Sequence, residues 1–127
     1  MRAFYQQVWV MVASDGGIGT RHPRGAGTFP RVLGRYVRDE RWLTLPEAIR
    51  KMTSAPAERL KLAQRGRIVA GAFADLVLFN PKTVVDRSTF SEPSILPAGI
   101  EKVFVGGELV WDGGKPVSAR PGQVLVR

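Results

Sequence analysis

The chain has 127 residues, 44% of them hydrophobic, with no cysteine and a net charge of +8. This composition predicts one globular domain in a reducing compartment, which we take to be the cytoplasm, and it excludes a disordered chain, a disulfide framework and a thiolate metal site. No apolar stretch is long enough to cross a bilayer, so we expect neither a membrane span nor a signal peptide.

The excess of positive over negative charge lies entirely in the first half of the chain. Residues 1–67 hold 13 Lys or Arg against 5 Asp or Glu, whereas residues 68–127 hold 6 of each. The basic residues form no dense block and no zinc-finger, basic-zipper or ribonucleoprotein motif. We therefore expect no nucleic-acid partner, although a basic, non-catalytic module that binds an acidic partner or nucleic acid stays an alternative.

Residues 8–13 are apolar at every position, which predicts a strand covered on both faces. Ser14, Asp15 and Gly16 follow it directly. Parallel α/β folds place their chemistry at the carboxyl ends of buried strands, where a carboxylate is held firmly beside an open loop. Because Asp-Gly is also a common turn, these residues alone leave Asp15 either a turn residue or a functional one.

A glycine-rich loop and three helices are predicted next. Residues 14–28 contain five glycines and one proline, and a loop of this length favours a functional role. The first helix is predicted over about residues 28–38, with an apolar face opposite a basic one. The second begins at the capping-box pair Thr44 and Glu47, and the third spans residues 54–60.

From Gly66 onward, short extended runs separated by Gly and Pro predict a small β-rich module. The predicted strands cover residues 66–71, 74–79, 102–105, 108–111 and 121–126. Gly106 and Gly107 separate two of these runs and predict a two-residue hairpin turn. Asp75 precedes an apolar run and is interpreted as a strand-entry residue that makes local backbone hydrogen bonds.

Taken in order, these motifs resemble the carboxyl-terminal portion of N-acyl-D-amino-acid deacylases (D-aminoacylases) of the amidohydrolase superfamily. The resemblance covers nearly the whole chain, and its specificity lies in the succession, because each motif alone is common. The stretches that carry it are Ser14-Asp15-Gly16, His22-Pro23-Arg24, residues 27–38, residues 48–53, Pro56-Ala57, residues 65–68, residues 74–79 and Arg120-Pro121-Gly122.

The resemblance implies an α/β fragment: the last strand and carboxyl-terminal helices of a (β/α)8 barrel in residues 1–65, then an incomplete small β-sandwich module in residues 66–127. It implies zinc-dependent hydrolysis of the amide bond of N-acyl-D-amino acids, the small-molecule substrates. Asp15 would be the catalytic base and would also border the metal as a ligand. Zn²⁺ lowers the pKa of its bound water to about 7, so a nearby carboxylate can take that proton and pass it to the departing amine.

His22 and Arg24 are candidate substrate-binding residues under this resemblance. His22 is the only histidine, and its imidazole can hydrogen-bond substrate or a neighbouring carboxylate; the alternative is a structural loop histidine. The Arg24 guanidinium can pair with the carboxylate of an acyl amino acid, and the alternative is a surface arginine. Ser14 and Gly16 are expected to shape the turn.

Two features depart from such enzymes. A single histidine without cysteine cannot supply the His-x-His pair and the further ligands of a zinc site, and a complete barrel needs about 250 residues. We therefore expect a piece of a longer enzyme that requires its missing amino-terminal part and that alone neither holds zinc tightly nor is active. Cleavage of a cyclic amide, by a dihydroorotase- or hydantoinase-like parent, stays an alternative.

Overall fold

The computed structural model describes residues 1–17, 19 and 21–125. Helices occupy the first half and a small antiparallel sheet the second. The helices are α1 (Arg2–Tyr5), α2 (Arg24–Arg31) with a π-helical continuation (Val32–Asp39), α3 (Leu45–Met52) and α4 (Ser54–Arg59), and the strands are β1 (Leu76–Phe79), β2 (Ile100–Val105), β3 (Glu108–Asp112) and β4 (Lys115–Pro116). Within the described ranges, no helix is long and apolar enough to cross a membrane.

Residues 8–13 do not form the predicted strand. Val8 and Trp9 are 77% and 66% exposed, and only Val12 of this run is buried. A strand satisfies its backbone groups through a neighbouring strand. No strand among the described residues lies beside this run. The prediction of a strand covered on both faces was therefore wrong for this structure, because the described residues offer the run no strand to pair with.

A buried lysine in α3 holds this segment instead. Lys51 is 2% exposed, and its ammonium donates to the carbonyls of Gln7 and, at 3.0 Å, of Val10. Its own carbonyl accepts the N–H of Val12 at 3.0 Å. Burial lowers the pKa of Lys51, because a charged group loses its hydration there. One residue thus fixes the backbone that leads to Asp15.

The helix predicted over residues 28–38 is longer than expected, since α2 begins at Arg24. Pro30 lies inside α2; it has no N–H for the carbonyl four residues earlier, and its ring crowds that carbonyl. The wider π-helical turns begin two residues later and end with the N–H of Glu40 donating to the carbonyl five residues back at 2.8 Å. The predicted apolar face, including Val32 and Tyr36, is confirmed as buried.

Helix α3 begins as predicted. The Thr44 hydroxyl oxygen accepts the N–H of Glu47 at 3.4 Å, and the Glu47 carboxylate accepts the N–H of Thr44 at 2.9 Å, which completes the capping box. Ala48, on the predicted apolar stripe, is fully buried. The core of the helical half consists of Val12, Val32, Tyr36, Leu43 and Ala48.

Residues 82–88, which we call the strap, cross α2 and its π-helical continuation. Two glycines on the helix make room for it. A Cβ at Gly27 would lie 2.5 Å from the hydroxyl oxygen of Ser88, and a Cβ at Gly34 would collide with the carbonyl of Val84. The interpretation of Gly27 as a loop residue was therefore wrong, because this glycine serves close packing between the two halves of the chain.

The strap is also held by charge. The Arg31 Nε and Nη2 atoms lie 2.7 and 2.5 Å from Asp86 Oδ2, and the Asp86 carboxylate is only 5% exposed. The Ser88 hydroxyl and N–H reach the other Asp86 oxygen at 2.5 and 2.9 Å. Arg38 donates to a strap carbonyl at 2.7 Å. The helical half and the β-rich half are thereby joined by packing and by an ion pair.

The sheet is a meander in the order β1-β2-β3-β4, with every pair antiparallel. The predicted hairpin is confirmed, since Gly106 and Gly107 both have positive φ between β2 and β3. The strand predicted over residues 66–71 is absent from the structure, and residues 121–125 form no strand either; Val126 lies outside the described residues. Neither run has a partner strand among the described residues, so the predicted strands do not form there.

Asp75 has a structural role, but its partners are not local. Its carboxylate accepts the N–H of Gly106 at 2.8 Å and forms an ion pair with Arg65. The Arg65 guanidinium lies over the Phe73 ring, 4.2 Å from its centroid. The expected local backbone hydrogen bonds were therefore wrong in their range: Asp75 ties the hairpin turn to the end of the helical half.

Replacing the buried lysine tests its role in the fold. We expect Lys51→Met to lower the free energy of unfolding by roughly 1–3 kcal/mol, because two carbonyls lose their donor in a buried site. Urea unfolding followed by tryptophan fluorescence measures this. Lys82→Met, at an exposed position, is the control and should stay within about 0.5 kcal/mol of the parent. Equal stability of the two variants would contradict the role given to Lys51.

The Asp86 carboxyl predicts an acid-dependent part of the stability. Burial by itself raises its pKa, but hydrogen bonds from Ser88 and Arg31 outweigh burial, and the net pKa is lowered. This stabilisation is therefore present above the unfolded pKa of about 3.9 and is lost as the pH falls through the folded value. We expect Asp86→Asn to be less stable near neutral pH and to lose less stability on acidification than the parent. Asp112→Asn, at an exposed position, is the control; parallel pH curves for Asp86→Asn and the parent would refute the expectation.

Candidate functional site

Asp15 lies in a turn that Ser14 shapes. The Ser14 hydroxyl oxygen accepts the N–H of Gly16 at 3.0 Å, and the hydroxyl lies 3.1 and 3.3 Å from the carbonyls of Arg24 and Gly25. The turn-shaping role predicted for Ser14 and Gly16 is confirmed. The same contacts tie the turn to the first residues of α2, so Asp15 has a fixed position relative to that helix.

The structure brings Asp15 and Arg24 together. Arg24 Nη2 lies 2.7 Å from Asp15 Oδ2, and the two side chains are 64% (Arg24) and 61% (Asp15) exposed. Such a charge-assisted hydrogen bond orients a carboxylate, but an exposed pair contributes little to stability. Arg24 was expected to receive a substrate carboxylate; in this structure its partner is the candidate catalytic carboxylate.

His22 lies two residues before α2. Its Nδ1 accepts the N–H of Arg24 at 3.0 Å, so the other ring nitrogen carries the hydrogen when the imidazole is neutral. The ring meets Phe90 edge-on, with centroids 5.1 Å apart. These contacts favour the structural alternative for His22, since the imidazole satisfies a backbone donor at the helix start.

A cavity of about 610 Å³ opens beside His22, Pro23 and Arg24, which we call the corner. Its size is in the range of pockets that bind small molecules. Both halves of the chain contribute to its wall, which includes Ala13, His22, Arg24, Thr28, Tyr36 and Phe90.

The described residues do not by themselves make a zinc site. Among them, no group of three or more His, Cys, Asp or Glu side chains could hold a metal ion. Tetrahedral zinc needs three or four such ligands. The ion-pair partner of Asp15 is a cation, Arg24, and not a second carboxylate. Asp15 can therefore be at most one member of a metal site that other residues complete.

Sequence reasoning missed the residues of the second half that support this corner. The Ser88 hydroxyl lies 3.0 Å from the carbonyl of Pro23, 65 residues away in sequence, and Phe90 packs against His22. No local pattern predicts such contacts. The available signal was the Asp-x-Ser spacing of Asp86 and Ser88, which is typical of a side-chain-to-backbone turn and so of an ordered segment.

Comparisons with known proteins show that the helices and the antiparallel sheet of this chain have the fold of an amidohydrolase domain. Residues 4–111 match the amidohydrolase family. The chain belongs to this family.

Curated relatives that match this chain are deacylases. An N-acyl-D-glutamate deacylase from Alcaligenes xylosoxydans xylosoxydans is 47% identical over 129 aligned positions, which cover 100% of this chain and 26% of the relative. An N-acyl-D-aspartate deacylase from the same organism is 49% identical over 104 positions, 82% of this chain and 21% of the relative. The expected similarity to N-acyl-D-amino-acid deacylases is thereby confirmed, and the chain spans about a quarter of the length of the curated relatives it matches.

A solved structure supports the same likeness. The crystal structure of N-acyl-D-glutamate deacylase from Bordetella bronchiseptica, complexed with zinc and a phosphonate mimic of the tetrahedral intermediate, matches with a TM-score of 0.90. The identity is 46%, and the match covers 98% of this chain and 26% of that one.

A double-mutant cycle on Asp15 and Arg24 tests what their pair contributes. We expect Asp15→Asn and Arg24→Ala to be coupled by only about 0.2–1 kcal/mol, because water screens an exposed ion pair. Urea unfolding of the parent, both single variants and the double variant gives this coupling, and added salt should reduce it. A coupling above about 3 kcal/mol would assign the pair to the structural framework instead of the site.

Proposed function

We propose that this chain is the carboxyl-terminal quarter of a zinc-dependent N-acyl-D-amino-acid deacylase, which hydrolyses an amide bond to a carboxylate and a free D-amino acid. The observation that carries the proposal is the Asp15 carboxylate, held at 2.7 Å by Arg24, in a chain 46–47% identical along nearly its whole length to such enzymes. The neighbouring cavity has room for a small acyl amino acid.

Asp15 is the catalytic base in this proposal. Its carboxylate takes a proton from the water that attacks the amide carbonyl. The same proton then goes to the amine nitrogen as the C–N bond breaks, which leaves a carboxylic acid, a neutral amine and an ionised Asp15 ready for the next turnover. The acid keeps the second hydrogen of the water and becomes a carboxylate when it passes that proton to the amine or to solvent.

Arg24 and His22 have supporting roles. Arg24 pairs with Asp15 in the absence of substrate, and its guanidinium fork can also take a substrate carboxylate. The His22 Nδ1 is occupied by the helix start, so only its Nε2 can face a substrate.

We further propose that residues 8–13 are the last strand of a (β/α)8 barrel, within a barrel piece of residues 1–65, and that residues 66–127 belong to a β-sandwich module. The exposed large apolar side chains of Val8, Trp9 and Ile68 support this arrangement, because another structure can cover such side chains. The partner that covers them is the amino-terminal part of the parent enzyme.

Zinc belongs to the complete enzyme in this proposal. The solved Bordetella relative holds it, whereas the described residues of this chain offer no complete ligand set. The cytoplasm stays the proposed compartment on the strength of the cysteine-free composition.

The basic half is better explained by internal ion pairs than by a polyanion partner. Six of its arginines pair with carboxylates of this chain: Arg24, Arg31, Arg35, Arg38, Arg65 and Arg67. Paired guanidinium groups are less available to phosphate, which counts against the non-catalytic alternative. The compared relatives are deacylases, which favours the deacylase reaction over cleavage of a cyclic amide.

A chimera tests the proposal. This sequence would replace the corresponding quarter of the Alcaligenes N-acyl-D-glutamate deacylase, and D-glutamate release would be measured. We expect an active enzyme in which Asp15→Asn lowers kcat at least about 10²-fold, the usual contribution of a general base. Asp112→Asn, on an exposed strand end, is the matched control and should leave kcat unchanged.

The isolated chain supplies the second arm of this test. We expect it to release no D-amino acid and to carry no stoichiometric zinc after gel filtration. Full activity of the Asp15→Asn chimera would overturn the role of Asp15, and a folded but inactive parent chimera would overturn the assignment to this reaction.

A further inference from the structure

The corner that carries Arg24 is supported from the opposite half of the chain. The Ser88 hydroxyl is buried and lies 3.0 Å from the carbonyl of Pro23 and 2.5 Å from Asp86 Oδ1. The hydroxyl has one hydrogen, which is shared between these two acceptor oxygens. Because Pro23 directly precedes α2, this hydroxyl acts at the residue before Arg24.

Asp86 fixes the position of that hydroxyl. Its carboxylate, 5% exposed, is held by the Arg31 guanidinium from α2. The Ser88 N–H donates to the same carboxylate at 2.9 Å. Gly27 presses against both side chains, since a Cβ there would lie 2.5 Å from the Ser88 hydroxyl oxygen. The hydroxyl therefore has little freedom to move relative to α2.

Phe90 gives the same corner a second support. Its ring meets the His22 ring at an interplanar angle of 82°, and the His22 Nδ1 accepts the N–H of Arg24. Residues 86–90 thus reach both residues that precede Arg24. An exposed ion pair such as Asp15–Arg24 is too weak to fix its own geometry, so its geometry must come from this support.

We infer that Ser88 is a positioning residue for the Asp15–Arg24 pair: its hydroxyl, anchored by Asp86, holds the His22-Pro23-Arg24 corner in register with the Asp15 turn. The inference rests on the proposed function for its catalytic consequence. Ser88 touches neither Asp15 nor Arg24 side chain in the contacts described, so it acts through the backbone of Pro23.

His22 makes the positioning measurable in the 127-residue chain itself. Because it is the only histidine, its ring gives a single set of NMR signals that sense both the Phe90 ring and the hydrogen bond at Nδ1. We expect Ser88→Ala to shift these signals and Ser88→Thr, which keeps the hydroxyl, to restore them. Ser91→Ala, at an exposed position of the same segment, should leave them unchanged.

The chimera measures the catalytic consequence. We expect Ser88→Ala to lower kcat about tenfold or more while KM changes less than about twofold, because misplacement by about 1 Å can cost about 10²-fold. Ser88→Thr should recover most of kcat. In an Arg24→Ala background, Ser88→Ala should have little further effect, since both changes act on one pair. Ser88→Cys, of similar size but a weaker donor, provides the same comparison where Ser88→Ala folds poorly.

Two results overturn the inference: wild-type kcat in Ser88→Ala, even where the His22 signals move, or fully multiplicative effects of Ser88→Ala and Arg24→Ala. An inactive parent chimera is a different result, because it counts against the proposed reaction. In that event unshifted His22 signals in both Ser88→Ala and Ser88→Cys overturn the positioning role by themselves.

Discussion

The contact between Arg31 and the buried Asp86 carboxylate is the constraint on which the rest of this structure depends. A carboxylate that is only 5% exposed is costly to bury unless a cation and hydrogen bonds compensate it. Arg31 supplies the cation and Ser88 the hydrogen bonds. The contact fixes the strap on a helix face where glycine alone leaves room, at Gly27. This contact therefore anchors the β-rich half to the helical half.

The Arg31–Asp86 contact also helps to fix the geometry of the candidate site. Asp15 and Arg24 are both more than half exposed, and a pair of that kind cannot hold its own geometry against water. Rigid elements must do so. One support comes from the Ser14 turn on the Asp15 side, and the other reaches Pro23 from Ser88. The chemistry of the first half is thus positioned by a segment of the second.

Local signals predicted what local interactions decide. The Thr44–Glu47 capping box and the Gly106-Gly107 hairpin are complete within a few residues, and both are present. Strands need partners, so the runs at residues 8–13 and 66–71 carried the right composition without the right neighbours. Glycine has two uses that sequence does not separate, a turn and a close packing contact, and Gly27 proved to be the second. The motifs were enough to propose Asp15 and Arg24 as candidate site residues, which remains a prediction. No local pattern indicates the contact of Ser88 with Pro23, 65 residues away.

The largely exposed apolar run at residues 8–13 ends two residues before Asp15, the candidate catalytic residue. Val8 and Trp9 expose their side chains to water, and the backbone of this run depends on Lys51 for hydrogen bonds that a sheet would otherwise supply. A few residues later Asp15 offers one carboxylate where a zinc site needs three or four ligands. Neighbouring parallel strands would satisfy both needs together, because they would bury the apolar run and bring their own carboxyl-end residues beside Asp15. In the proposed parent enzyme, one set of strands would therefore supply both the cover and the further ligands.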